Sequence, residues 1–352
     1  MGQCIYGCSA IRGEGLASVT IRDVAKKAGV GVGTVSRVLN GSTAVSDSTK
    51  QKVLEAIEAL DYSPSPIARR LSLGRTLTIG VVAPFFIRPS YVERIRGIDT
   101  VLADSEYDMI IYNVETVARR DACFRDIPRQ ERVDGLLIIT LPPTDDEVLR
   151  FQKAGLPVVM VDGKRPEMSH VTIDDVAGGY QATRHLIDLG HRRIGYISDV
   201  LEESPFGFRP VADRYQGYRH ALADAGIPFT PEYHRQGALS RREARRLAHE
   251  LLTLPNPPTA IFAYSDTQAF GVLRAAQDLG LKIPEQLSVI GYDDIEISEF
   301  LHLTTIRQHL YESGAEGTKL LLQEISDPST QKQSIVLRTD LVIRDTTAPP
   351  TA

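Results

Sequence analysis

The sequence predicts a small all-α domain near the N-terminus, joined to a larger α/β core built on parallel sheets. Residues 20–40 contain two short amphipathic segments separated by Gly29, which indicates a pair of helices. From residue 76 onward, short apolar runs alternate with amphipathic segments, which is typical of parallel strands covered by helices on both faces. A chain of 352 residues, 42% of them hydrophobic, is long enough for more than one domain.

The first amphipathic segment has the features of a capped helix. Thr20 stands where a helix cap is needed, and Val24, Ala25 and Ala28 form an apolar stripe behind it. Gly29 then ends the helix, because glycine readily adopts the backbone conformation of a helix terminus.

The second segment repeats apolar residues at helical spacing from Val30 on, at Val35, Val38 and Leu39. The face left outside carries hydroxyl, guanidinium and amide side chains, namely Thr34, Ser36, Arg37 and Asn40. Such groups suit phosphate oxygens and base edges in a DNA major groove. Residues 20–40 therefore predict a helix-turn-helix, with a plain helical hairpin and a solvated face as the alternative.

Three glycines in the turn region, Gly29, Gly31 and Gly33, resemble the start of a dinucleotide-binding loop. That loop requires a buried strand before it and a further glycine three residues after the second one, where Thr34 stands. A charged helix precedes the glycines instead, so a dinucleotide site is rejected.

A third helix is predicted to open at Ser46, with an apolar stripe formed by Val53, Leu54, Ile57 and Leu60. It completes a three-helix unit that can bury a small core. Two prolines then break the chain, and a basic segment follows over residues 67–74. One or two helical turns are marginal alone in water, so we expect this segment to need a partner.

The N-terminal residues 1–18 have neither helical nor strand periodicity and lack the charged and apolar regions of a signal peptide. We expect either a disordered extension or a start codon upstream of the true one. Cys4, Cys8 and Cys123 are too few for a disulfide framework, and no run is apolar enough to span a membrane. The predicted location is the cytoplasm.

Charge is distributed unevenly along the chain. Residues 19–75 contain nine Lys and Arg against five Asp and Glu, a balance of +4, whereas the whole chain carries −5. Residues 1–18 balance to zero, so residues 76–352 carry −9. Residues 19–75, here called the head, are thus basic, and the rest of the chain is acidic. This difference in charge directs the head toward a polyanion.

Seven apolar runs in the core predict buried strands, at residues 78–83, 108–112, 135–139, 158–161, 194–197, 260–263 and 288–290. Amphipathic segments separate them. Parallel sheets with helices on both faces follow from this alternation.

An ordered set of motifs resembles the lac-repressor (LacI/GalR) family of bacterial transcription regulators. The resemblance begins with VTIRDVAKKAGVGVGTVSRVLNG at Val19, VSDSTKQKV, and ALDYSPSPIARRLSLGRT. It continues nearly to Arg344 with RVDGLLI at Arg132, PVVMVD at Pro157, HLIDLGHRRIGYI at His185, PTAIFAYSDTQAFGVL at Pro258, GLKIPEQLSVIGYDD at Gly280 and LTTIRQ at Leu303.

This resemblance implies a core of two doubly wound parallel-sheet lobes, like a periplasmic binding protein, with three chain crossings between the lobes. The implied domains are a helix-turn-helix domain at 19–63, a hinge helix at 64–75, an effector-binding and dimerisation domain at 76–346, and a tail at 347–352. The loops after Ala83, Val161, Ile197 and Ala263 should surround a cleft between the lobes.

The resemblance also implies a transcription regulator that binds palindromic operator DNA as a homodimer. Members of this family are usually repressors. Helical segments 89–102 and 311–324 are candidate dimer faces, with internal helix packing as the alternative. Closure of the lobes on a ligand would set the spacing of the two hinges and thus the affinity for DNA.

DNA-binding roles are carried over by position in the motif. Val32, Gly33 and Arg37 occupy positions that read bases, and Val32 and Gly33 depart from the polar residues common there, so Arg37 should carry most of the direct readout. Thr34, Ser36 and Asn40 suit phosphates. Leu71 matches the hinge leucine that enters the minor groove and opens a base step.

Effector-binding roles are carried over in the same way. Asp266 and Arg214 match the effector-binding acid and arginine, and a carboxylate with a guanidinium suits a polyol. The weaker candidates are Tyr91, Asp162 and Gln308. The loop containing Phe86, Arg88 and Ser90 is expected to shape a specific subsite, whereas Asp293 and Asp294 are interpreted as structural acids.

Three functional classes compete: a ligand-responsive DNA-binding regulator, a sugar-transport binding protein and a sugar enzyme. Transport would require an export signal and no helix-turn-helix, and an enzyme would require a metal cluster, a nucleophile with its base, or a phosphate loop. No catalytic residue, cofactor or metal is predicted, since His170, His185 and His191 lack ligand partners in the sequence. The regulator is favoured, with a sugar as effector and a purine or nucleoside as the alternative.

Overall fold

The computed structural model describes residues 19–39, 44–62, 74–201, 206–207 and 209–351. The chain divides between Arg75 and Thr76 into two compact units. Asn40, Leu71, the extension at 1–18 and most of the predicted hinge fall outside the described residues. No helix in the described part is long and apolar enough to cross a membrane.

The first unit contains three helices, α1 (Ile21–Ala28), α2 (Val32–Leu39) and α3 (Asp47–Ala59). The Thr20 backbone N–H and hydroxyl both donate to the Asp23 carboxylate, at 2.9 and 2.7 Å, and Gly29 ends α1 with φ 68°. Ser46 caps α3 by accepting from the Thr49 N–H at 3.4 Å. The predicted helix-turn-helix and third helix are thus confirmed.

The core of this unit is formed by the buried side chains Val24, Ala25, Val35, Val38, Val53 and Ala56. The predicted stripe of α3 was wrong at Leu54, which is 45% exposed, because Ala56 takes the inward position instead.

The first lobe of the second unit is a six-stranded parallel sheet. Its strands are β1 (Thr78–Pro84), β2 (Asp108–Val114), β3 (Gly135–Ile139), β4 (Val158–Val161), β5 (Ser169–Ile173) and the late strand β11 (Ser334–Leu337). The order is β11, β5, β4, β3, β1, β2. Its helices are α4 (Pro89–Ala103), α5 (Val117–Asp126), α6 (Asp145–Lys153) and the late helix α12 (Leu310–Ser326), with a 3-10 turn at Ile127–Arg129.

The second lobe is a four-stranded parallel sheet in the order β7, β6, β8, β9. Its strands are β6 (Ile194–Ser198), β7 (His234–Gln236), β8 (Ala260–Ala263) and β9 (Ser288–Ile290). Its helices are α7 (Asp175–Asp188), α8 (Arg209–Asp224), α9 (Arg241–Leu252), α10 (Asp266–Asp278) and α11 (Glu296–Phe300), with a 3-10 turn at Pro231–Tyr233. An antiparallel pair, β10 (Thr305–Arg307) with β12 (Asp340–Val342), completes it.

The chain passes between the lobes three times, after β5, after β10 and after β11, as the resemblance implied. All seven predicted apolar runs are strands, some of them one or two residues longer than predicted. The strands that the sequence did not predict are β5, β7, β10, β11 and β12. They are short, and β7, β11 and β12 have no fully buried residue, so they lack the continuous apolar run that marks a central strand.

Helices α4 and α12 cross at unusually close range through two glycines. A Cβ added to Gly97 would lie 2.0 Å from the Tyr311 carbonyl oxygen, and one added to Gly314 would lie 2.0 Å from the Arg94 carbonyl oxygen. The two candidate dimer helices therefore pack against each other. The outer side of α4 stays exposed, with Val92 at 40%.

The C-terminal residues pack on the second lobe. The His191 Nε2 donates to the Ala348 carbonyl and its Nδ1 bonds the Thr259 hydroxyl, each at 2.9 Å, and the Thr346 hydroxyl donates to the Val289 carbonyl at 2.7 Å. Thr347 pairs with His185 at 3.0 Å. Residues 347–351, which the sequence assigns to a tail, are thus tied to the sheet.

Candidate functional site

A cleft of about 520 Å³, open solvent included, lies between the two lobes where the strands end. Its lining residues are Arg88, Ser90, Tyr91, Arg94, Thr140, Asp162, Asp199, Pro210, Arg214, Leu239, Tyr264, Ser265, Asp293 and Gln308. The wall is therefore mostly polar, with donors and acceptors from both lobes.

On the first lobe, Arg94 is the central side chain. It extends from α4 and is 2% exposed, and its Nη2 donates to the Asp162 Oδ2 at 2.8 Å. The Thr140 hydroxyl donates to the same oxygen at 3.4 Å. The Arg94 Nε has no partner in the described part of the protein and is buried. One donor of a buried guanidinium is thus left for an acceptor that a ligand could supply.

On the second lobe, Arg214 has the same central role. It extends from α8, is 3% exposed, and its Nε donates to Asp175 Oδ1 at 2.7 Å. Its Nη1 donates to the Tyr264 carbonyl at 2.9 Å and lies 3.5 Å from Asp293 Oδ1. The guanidinium also lies over the Tyr292 ring, 3.7 Å from its centroid. These contacts fix the orientation of Arg214 before any ligand binds.

Gln308 connects the two halves of this network. It stands in the segment that crosses from β10 to α12 and is 1% exposed. Its Oε1 accepts from Arg94 Nη2 at 3.2 Å, and its Nε2 donates to Asp293 Oδ1. Gln308 therefore bonds a polar group of each lobe.

Three lining residues have positive backbone φ angles: Thr140 (61°), Asp162 (57°) and Asp293 (129°). The first two follow directly after β3 and β4, and Asp293 comes three residues after β9. Non-glycine residues rarely adopt this conformation, and such strain concentrates at functional sites. Here it turns each side chain from the sheet into the cleft.

Burial raises the pKa of Asp293 to about 8, although the nearby Arg214 charge lowers it. Burial likewise raises the pKa of Asp175 to about 6, against the effect of Arg214. One carboxyl group that lines the cleft, Asp293, and one that pairs with the lining residue Arg214, Asp175, thus hold protons above the usual range of aspartate. At neutral pH Asp293 can donate a hydrogen bond as well as accept one.

Four of the five residues carried over as effector contacts, Tyr91, Asp162, Arg214 and Gln308, lie together around the cleft. Arg88 and Ser90, from the loop that was expected to shape a specific subsite, also line the cleft. Phe86 packs instead against the core of the first lobe.

Asp266 is not brought to the cleft, so the expectation of a direct ligand contact is corrected. It is 0% exposed, and its carboxylate accepts from the Ser298 hydroxyl at 2.7 Å and the Thr305 hydroxyl at 2.5 Å. The Ile295 N–H donates to it as well, at 3.1 Å. Both oxygens are used in holding the loop after β9. Asp293, which was expected to be a structural acid, lines the cleft instead.

Sequence reasoning missed Arg94, Thr140, Asp175, Asp199, Tyr264 and Ser265 as well as Asp293. A usable signal existed for Arg94, because it lies three residues after Tyr91 and thus on the same face of α4. Asp293 follows a predicted strand, as cleft residues do. Nothing local marks Asp175, whose role depends on a partner on another helix.

The second candidate surface is the outer face of α2. Val32 is 41% exposed, Gly33 and Arg37 are exposed, and Thr34 and Ser36 are partly exposed. A Cβ added to Gly33 would meet nothing within 4 Å. The five described residues that are predicted to face DNA from this helix are therefore free of the domain core.

We predict that the stability contribution of Asp293 depends on pH. Its raised pKa means that the folded chain holds a proton that the unfolded chain releases near pH 4. The contribution is complete below about pH 4 and is lost as pH rises toward about 8, by up to about 1.4 kcal/mol per pH unit. Asparagine does not titrate, so Asp293→Asn should gain stability relative to the wild type over this range. Urea unfolding between pH 5 and pH 8 measures the difference, and parallel curves for the two proteins would refute the prediction.

Comparison with known proteins finds a match in each of the two units. Residues 20–65 match the family described as bacterial regulatory proteins, lacI family, and residues 183–347 match a periplasmic binding protein-like domain. The HTH-type transcriptional repressor PurR of Mannheimia succiniciproducens is 34% identical over 330 residues, which cover 92% of this chain and 97% of the relative.

Among solved structures, the lac repressor dimer bound to operator and the anti-inducer ONPF matches with a TM-score of 0.81 and 27% identity, over 94% of this chain and 99% of that one. The complex of the transcriptional regulator CelR with cellobiose matches with a TM-score of 0.68 and 30% identity, over 93% and 99%. The chain belongs to the lacI family of bacterial regulatory proteins.

Proposed function

We propose that this protein is a sequence-specific transcription repressor whose affinity for operator DNA is set by a small polyhydroxylated effector bound in the cleft. The observation that carries the proposal is the polar network from Asp162 through Arg94, Gln308 and Asp293 to Arg214. It spans both lobes in a chain that also has a helix-turn-helix. A ligand that enters this network changes the position of one lobe relative to the other.

A sugar is the effector class that the cleft favours. Guanidinium groups donate to hydroxyl oxygens, and carboxyl groups accept from hydroxyls, so the lining offers both partners that a polyol requires. The related regulator CelR has been solved with cellobiose. A purine or nucleoside would stack on an aromatic face, and both tyrosine rings that line the cleft are already approached by an arginine: Arg94 lies 6.0 Å from the centroid of Tyr91, and Arg214 lies 4.7 Å from that of Tyr264.

The dimer is proposed to form through the outer side of α4 together with α11. Val92 on α4 is 40% exposed, and α11 with the residue after it exposes Ile297, Phe300 and Leu301 at 46%, 73% and 43%. Three exposed apolar side chains within five residues mark an interaction surface. A homodimer that covers α4 on one lobe and α11 on the other would be sensitive to the closure of the cleft.

The DNA-binding roles of the head follow from its exposed face and from the family. Arg37 is assigned to a guanine, Val32 to a thymine methyl group, and Thr34 and Ser36 to phosphates. Asn40, Leu71 and the hinge at 64–75 are assigned to DNA contact by family position alone. The protein is proposed to act in the cytoplasm and to have no catalytic activity.

Replacing Arg37 by alanine should weaken operator binding about 10-fold to 100-fold, since a bidentate contact to guanine contributes about 1–3 kcal/mol. The preference of the protein for guanine over another base at that operator position should fall together with the affinity. The operator is first selected from random DNA. Fluorescence anisotropy then measures both effects. Arg119→Ala in the second unit, also an exposed arginine, is the control and should bind as the wild type. Equal binding by Arg37→Ala would refute the assignment.

A further inference from the structure

Two charged side chains at the cleft differ from the others in having no opposite charge in contact. Arg94 is paired with Asp162 and Arg214 with Asp175, at 2.8 and 2.7 Å. Arg88 and Asp199 also line the cleft, but neither forms an ion pair within 4.0 Å in the described part of the protein. One guanidinium and one carboxylate are thus available to a ligand.

These two residues lie on opposite lobes and near the outside of the cleft. Arg88 precedes α4 on the first lobe, and Asp199 follows β6 on the second. Both are partly exposed, whereas Arg94, Arg214 and Gln308 are 2%, 3% and 1% exposed. The cleft therefore has a buried floor and a separate outer rim.

Both rim residues are held in place by the protein. The Arg88 guanidinium lies over the Phe85 ring, 4.1 Å from its centroid, and that ring packs edge-on against Phe206, with centroids 6.0 Å apart. The Val200 N–H donates to the Asp199 carboxylate at 2.9 Å. Burial raises the pKa of Asp199, and the charge of Arg88 opposes that rise, so the two groups act on each other across the opening. A fixed donor faces a fixed acceptor, which lowers the entropic cost of binding a ligand between them.

The floor and the rim differ in what they offer. The floor groups already bond one another, and the buried Arg94 Nε, which has no partner in the described part of the protein, is left for a ligand oxygen. The rim pair would then face the part of a ligand that extends out of the floor. Arg88 carries only hydrogen-bond donors, and Asp199 mainly accepts. The pair is therefore complementary to hydroxyl groups, which both donate and accept. Because the two charges cancel, the pair suits a neutral ligand.

We propose that Arg88 and Asp199 form an outer subsite that binds the second sugar unit of a disaccharide, so that the effector is longer than one ring. This inference rests on the proposed function, and it assigns size selection to two residues outside the buried network. The floor would supply affinity for the first ring, and the rim would select ligands that carry a second.

Isothermal titration of the full-length protein tests this inference with matched sugars, each disaccharide beside its constituent monosaccharides: cellobiose, maltose, lactose, melibiose, sucrose and xylobiose. The variants are Arg88→Gln and Asp199→Asn, which remove charge at nearly constant size. Arg119→Gln and Asp224→Asn, at exposed positions away from the cleft, are the controls. Circular dichroism and melting temperature verify that every variant is folded.

The wild type should bind one disaccharide at least about 10-fold more tightly than its monosaccharides. Each rim variant should weaken that disaccharide about 10-fold to 100-fold, the range for a lost hydrogen bond to a charged group. Binding of the monosaccharide should change less than about twofold, and the controls should match the wild type.

Three results would overturn the inference, and they can be told apart. If a monosaccharide binds as tightly as any disaccharide and the rim variants have no effect, the outer subsite is absent while the proposed function stands. If the rim variants weaken monosaccharide and disaccharide equally, Arg88 and Asp199 close the lobes and do not select size. If no sugar binds the wild type, the carbohydrate effector of the proposed function fails together with the inference.

Discussion

Replacing Arg214 by leucine should lower the free energy of unfolding by about 3–5 kcal/mol and should abolish the response to effector. The substitution removes one partner of a buried ion pair and leaves Asp175, which is 5% exposed, without its cation. Breaking a buried pair in this way carries a penalty of that size. The same change removes the guanidinium that contacts Asp293 and lies over the ring of Tyr292.

The pH dependence of this loss provides a specific check. The pKa of Asp175 is already raised to about 6 by burial, and Arg214 holds it from rising further. Without Arg214 the carboxyl group will bind a proton more readily. An aspartate whose pKa is raised in the folded state stabilises the fold at low pH, and this stabilisation is lost as the pH rises. The loss of unfolding free energy in Arg214→Leu should therefore be smaller at pH 5 than at pH 8.

Urea unfolding at both pH values measures the deficit. Arg192→Leu is a suitable control, because Arg192 is exposed and bonds only backbone carbonyls, those of Ile187 and His191. A deficit for Arg214→Leu below about 1 kcal/mol would show that Arg214 is not the organising side chain of the second lobe.

Replacing Gly97 by valine should destabilise the protein by about 3 kcal/mol or more. The new Cβ would lie 2.0 Å from the carbonyl oxygen of Tyr311, and the obstacle is backbone, which cannot rotate away. Overpacking in a rigid site costs typically about 1–3 kcal/mol, and a backbone clash of this depth belongs at or above the upper end.

The effect should extend to the cleft, because α4 carries Tyr91 and Arg94 and α12 follows directly after Gln308. Separating the two helices would displace the bonds between Arg94, Asp162 and Gln308. We therefore expect Gly97→Val to bind effector at least about 10-fold more weakly, even at temperatures where it remains folded.

Thermal unfolding and ligand titration measure the two consequences. Thr100→Val, three residues further along α4 and exposed, is the matched control and should change stability by less than about 1 kcal/mol. A normal melting temperature for Gly97→Val would mean that the two helices do not pack at the distance observed.

The sequence predicted the regular elements well because their physics is local. Helix α1 is marked by Thr20 and Gly29 at its ends, and the central strands are continuous apolar runs. The strands that were missed are short and partly exposed, and they are specified by their neighbours in the sheet and not by their own composition.

The site was predicted in part for the same reason. Arg214 and Asp162 stand in recognisable motifs, whereas Arg94 and Asp175 become functional only through partners that are distant in the sequence. Asp266 and Asp293 are both acids beside strands, and the sequence does not distinguish a carboxylate buried by Ser298 and Thr305 from one turned into a cleft. That difference depends on the backbone conformation after β9 and on tertiary hydrogen bonds.

The central claim is that effector binding in the cleft controls operator binding by the head. Its most direct test is fluorescence anisotropy of a labelled operator, titrated with wild type and with Arg214→Lys, each with and without a saturating disaccharide that binds the wild type. Lysine keeps the charge but cannot bond both Asp175 and the Tyr264 carbonyl from the two nitrogens that Arg214 uses. We expect the sugar to change the operator Kd of the wild type at least about 10-fold and that of Arg214→Lys less than about twofold, while both bind operator equally without sugar. An unchanged operator Kd for the wild type at saturating sugar would contradict the central claim.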